Sequence, residues 1–191
     1  MGLDIHIAAG NDKELRSTYF YGEQSEYFYK HSLSRTFCSL MCRQDVINHE
    51  CELDQIERIT GVNVYPIYEM QSYPEQQSLS FHLEMAKSEE ERRIILENAA
   101  KQKAKLTGNI ERVLKTVDAL VSRLNSIDKL HELLLPTDID TLDNKTYFAD
   151  FTHDKGDGYI DNNFGQDLRN FQRFLEYAKL HGTTTVWFEF G

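Results

Sequence analysis

Positive charge is scarce in this chain: 21 Lys and Arg stand against 31 Asp and Glu, a formal net charge of −10 over 191 residues. Nucleic acid is therefore not an expected partner, because binding to phosphates rests on clustered Lys and Arg. Only 3 Pro and 10 Gly occur, which leaves little material for long flexible linkers. The 3 Cys, Cys38, Cys42 and Cys51, are an odd number without the spacing of a disulfide framework, so free thiols in a reducing cytoplasm are expected. No apolar run approaches the ~18 to 20 residues of a membrane helix, and the first ten residues carry Asp4 and His6 in place of a signal peptide's apolar stretch. No Gly-x-Ser-x-Gly, phosphate loop, HExxH or dinucleotide fingerprint is present.

Large apolar side chains, by contrast, are plentiful. The composition is 40% hydrophobic with 10 Tyr and 11 Phe, enough to build a core in a single domain spanning 1–191. The clearest pattern is Leu106, Ile110, Val113, Val117, Leu120, Leu124 and Ile127, spaced four, three, four, three, four, three. That spacing lays one apolar stripe on a helix and matches no face of a strand. With Leu114 and Val121 at flanking positions, the stripe is wider than a dimeric coiled coil prefers. An intramolecular cover, residues 94–104, is the expected partner.

Around this helix the chain alternates patterns. Leu3, Ile5 and Ile7 alternate with polar residues as a strand does. The triplets Tyr19-Phe20-Tyr21 and Tyr27-Phe28-Tyr29 suggest a hairpin or the approach to a helix. Helical spacing follows over 32–46 and 52–60, the second ending at Gly61. Val62, Val64 and Ile67 read as a strand interrupted by Pro66, which places it at a sheet edge or ends it there. Residues 78–135 form a helical excursion, expected to turn at Thr107-Gly108-Asn109 into a hairpin with Asn109 as a possible N-cap, the rival being one long helix through Gly108 at a cost of ~1 kcal/mol relative to Ala. Residues 146–151 read as a strand, 166–180 as an amphipathic helix, and 184–190 as a last strand. The whole reads as α+β: a small mixed or antiparallel sheet including both terminal strands, helices on one face, and the long helical hairpin.

Three groups have the residue types that chemistry needs. Asp4 and His6 share a face of the first strand, and Glu189 joins them if the terminal strands are neighbours, giving the carboxylate and imidazole of an acid–base device. The plainer reading is the polar face of a half-buried strand. Asp154, Asp157 and Asp161 supply carboxylates in a glycine-containing loop that Ca²⁺ or Mg²⁺ would accept, although the EF-hand register fails and a solvated turn fits as well. Cys38, Cys42, His49 and Cys51 have the donor types of a Zn²⁺ site without its usual knuckle spacing, and cysteines on an apolar helix face are commonly small core residues. No cofactor is expected. The aromatic triplets, with His31 and Arg35, also suit a contact rim.

The opening Met1-Gly2-Leu3-Asp4-Ile5, followed by Tyr27-Phe28-Tyr29-Lys30 and a helix ending near His49-Glu50-Cys51, resembles small proteins of bacteria and their phages that begin with a Met-Gly-Leu-Asp strand. The resemblance covers the first third of the chain and implies a bacterial or phage origin, with no functional residue attached. Taken together, the expectation is a cytoplasmic, non-enzymatic interaction or accessory protein with a protein partner or self-association and no membrane contact. The alternative is a small metal-assisted or acid–base hydrolase using Asp4, His6 and Glu189 or the Asp154–Asp161 loop.

Overall fold

The computed structural model describes residues 4–19, 32–138, 142–151 and 163–191, with only the backbone of 16–19. Strand β1 (Ile5–Ala9) and strand β2 (Val186–Phe190) pair antiparallel, Ile5 opposite Phe190 and Ile7 opposite Phe188. The expected α+β class and the joining of both terminal strands hold. Among the described residues the sheet has these two strands alone. Backbone bonds from Asp4 N–H to the Gly191 carbonyl (2.9 Å) and from Gly191 N–H to the Asp4 carbonyl (3.0 Å) extend the ladder at one end.

One face of the ribbon is the floor of the core. Alternation turns Ile5, Ile7, Val186 and Phe188 to that face, where all are buried. Above them lie helix α2 (Arg35–Cys42), opened by the Ser34 hydroxyl accepting from Phe37 N–H, and helix α10 (Phe164–Leu180), opened in the same way by Asn163. Phe37, Phe171 and Phe188 meet there with ring centroids 5.6–6.2 Å apart, which is the edge-to-face range that aromatic quadrupoles favour. Gly165 lies in the first turn of α10, where a Cβ would sit 2.9 Å from the Asp150 carbonyl oxygen.

Helix α1 (Asp12–Tyr19) precedes α2, and between α2 and α10 in sequence come α3 (Glu52–Thr60), α4 (Tyr65–Glu69), α5 (Gln76–Met85), α6 (Glu89–Leu106), α7 (Ile110–Leu124), α8 (Leu130–Leu133) and α9 (Asn144–Tyr147). Helix α3 ends as expected at Gly61, whose φ of +70° suits glycine. Two expected strands do not form: 65–67 belongs to α4 and 146–147 to α9, and the remaining residues of both runs are turn or irregular. Pro66 sits in the first turn of α4, where its missing N–H is one the helix would leave unbonded anyway, so the edge-strand reading of Val62–Ile67 fails. Over 146–151, Tyr147, Phe148 and Phe151 are all buried, which a one-faced strand would not allow, and the Asp143 carboxylate caps α9.

The heptad stripe is real and its cover is not the expected one. Ile110, Val113, Val117, Leu120 and Leu124 are buried, and α7 packs chiefly on α10, with α3 and α4 beside it. Helix α6 buries only Ala99 and Leu106, because Ile94, Ile95 and Leu96 are consecutive and so spread around the cylinder. The chain does turn at Gly108, with φ +74°. Asn109, however, does not cap α7 with its side chain. Its carboxamide donates to the Val186 carbonyl (2.8 Å) and accepts from Val186 N–H (2.9 Å), filling the outer edge of β2 as a strand would. What projects is thus the pair α5–α6, while α7 belongs to the body.

Candidate functional site

The ladder places His6 directly opposite Glu189, and Asp4 two residues along the same outer face, so the three side chains expected together do share a surface. Among the described residues no side-chain hydrogen bond joins the three. The Asp4 carboxylate accepts from Arg35 Nε at 2.9 Å, and His6 stands in solvent with no hydrogen bond to either carboxylate among the described residues. The other end of this face is covered: Tyr73 stacks on Trp187 at 4.0 Å and 12°, and the Lys103 ammonium lies 5.5 Å from the Tyr73 ring centroid, fixing the root of α6 against the sheet.

The cysteine group divides. Cys38 and Cys42, one turn apart on α2, hydrogen-bond each other; burial, with Cys42 adding to it, pushes the Cys38 thiol up to about 12, and burial raises Cys42 as well. Cys51, just before α3, donates to the Asp54 carboxylate (3.1 Å) and lies 3.2 Å from the Tyr68 hydroxyl, which donates to the other Asp54 oxygen (2.9 Å). Burial raises the Cys51 thiol too. His49 is exposed, with Asp138 at 3.9 Å. Among the described residues no three His, Cys, Asp or Glu side chains gather as a metal ion would need. Asp154, Asp157 and Asp161 lie outside the described residues, as do most of the aromatic triplets and His31.

Three features escaped the sequence reading. Asp167, on the apolar stripe of α10 between Phe164 and Phe171, is buried and accepts from Ser34 N–H (2.8 Å), Ser34 Oγ (2.7 Å) and the Tyr147 hydroxyl (2.7 Å). Desolvation raises its carboxyl to about 6, with the Ser34 and Tyr147 donors acting against that rise. Arg43 and Glu52 form a buried ion pair at 2.5 Å that Thr137 joins from the far side of the chain. Both carboxylates occupy positions one turn from a core residue, Phe171 and Ile56, and that misplacement in an apolar stripe was the available signal. The third feature is a cavity of about 460 Å³ lined by Asp54, Glu57, Arg58, Tyr65 and Tyr68. Its carboxylates are already engaged: Glu50 holds Arg58, and Glu57 accepts from Val64 N–H.

The remaining candidate is the arm. Helix α5 buries none of its ten residues. Phe81 and Met85, four residues apart on one face, are 59% and 64% exposed, and Ile94 and Leu96 of α6 are about half exposed. Isolated exposed apolar residues are ordinary; a helix that contributes nothing to the core while carrying such a pair is not. Among the described residues no helix is long and apolar enough to cross a membrane. Comparison with protein families, curated proteins and solved structures finds no match to this chain.

Proposed function

We propose that this is a non-enzymatic cytoplasmic interaction protein whose contact surface is the α5–α6 arm. The observation that supports this reading is the ten-residue α5, which buries no residue in its own chain and presents Phe81 and Met85 side by side to solvent. A short helix packed chiefly on one neighbour, α6, is marginal in water, so an apolar pair kept on its open side is best explained by burial against another surface. The polar groups inside the body, Asp167 and the Arg43–Glu52 pair, are satisfied internally and hold elements together.

A photo-crosslinking side chain placed at Phe81 or Met85 is expected to form a protein adduct in cells expressing the chain. The same group at Leu180, which is 83% exposed on the body, should give none. Equal labelling from all three positions, or none from the arm, would remove the arm from consideration.

A further inference from the structure

We draw no further inference here: the strongest candidate, the cavity beside α3 and α4 lined by Asp54, Glu57, Tyr65 and Tyr68, is an acidic cluster whose carboxylates accept from the chain's own groups, and no buried unpartnered polar side chain among the described residues lines it to say what it would hold.

Discussion

Asp167 is the most consequential single group. Its carboxyl sits at about 6 in the fold against 3.8 for the free side chain, so the native state holds a proton that the unfolded chain has already released between those values. The sign follows: this group's contribution is fully present below pH ~4, is lost as pH rises through 6, and amounts to about 3 kcal/mol in all. Chemical denaturation of wild type and D167N between pH 4 and 7 should show that falling component in wild type and its disappearance in the variant, whatever the variant's absolute stability. The Arg43–Glu52 pair behaves differently. E52A would strand a buried guanidinium and is expected to cost about 3–5 kcal/mol, whereas replacing both partners by apolar residues of similar volume should cost far less. Urea unfolding of the single and double variants separates a buried pair from a pair exchanging with solvent.

At the scale of elements, legibility followed the period of the apolar pattern. The stripe of α7, the α10 stripe and the two terminal strands were all readable because each has one repeat and one buried face. Residues 62–67 and 146–151 misled because short apolar runs with aromatics suit a buried turn of helix as well as a strand. Pro66 in the first turn of α4 and Asp143 capping α9 decide those cases, and both signals were present in the sequence. The partner of α7 was beyond reach: two helices adjacent in sequence are the natural pair, yet Asn109 binds the edge of β2 and turns α7 toward α10. The difference is measurable. L120A, in the buried stripe, should lose about 2–5 kcal/mol, and L96A, on the exposed flank of α6, should stay within about 0.5 kcal/mol of wild type. If the two substitutions cost the same, α6 contributes to the core after all.

The whole molecule is organised by closure. Residues near both ends meet in one ribbon, and the Phe37–Phe171–Phe188 cluster, α7 and α10 all pack into a single core. The candidate site was only partly legible for the same reason. Asp4, His6 and Glu189 could be placed on one face from strand alternation and pairing, but the turning of Asp4 toward Arg35 depends on where α2 lands in three dimensions. The arm stands outside this closure. Its helices are held by their own hydrogen bonds, by the α5–α6 contact, and by the root at Tyr73, Ala99 and Leu106. Hydrogen exchange should therefore divide the chain in two. Amides of α7, α10 and the ribbon are expected to exchange only through global unfolding, with denaturant dependence matching the whole, because each buries core side chains. Amides of α5 and the first turns of α6 should exchange by local opening, at least ~100-fold faster and with little denaturant dependence, as isolated short helices do. Uniform protection across arm and body in a dilute, monomeric sample would instead mean that the arm is part of the cooperative core.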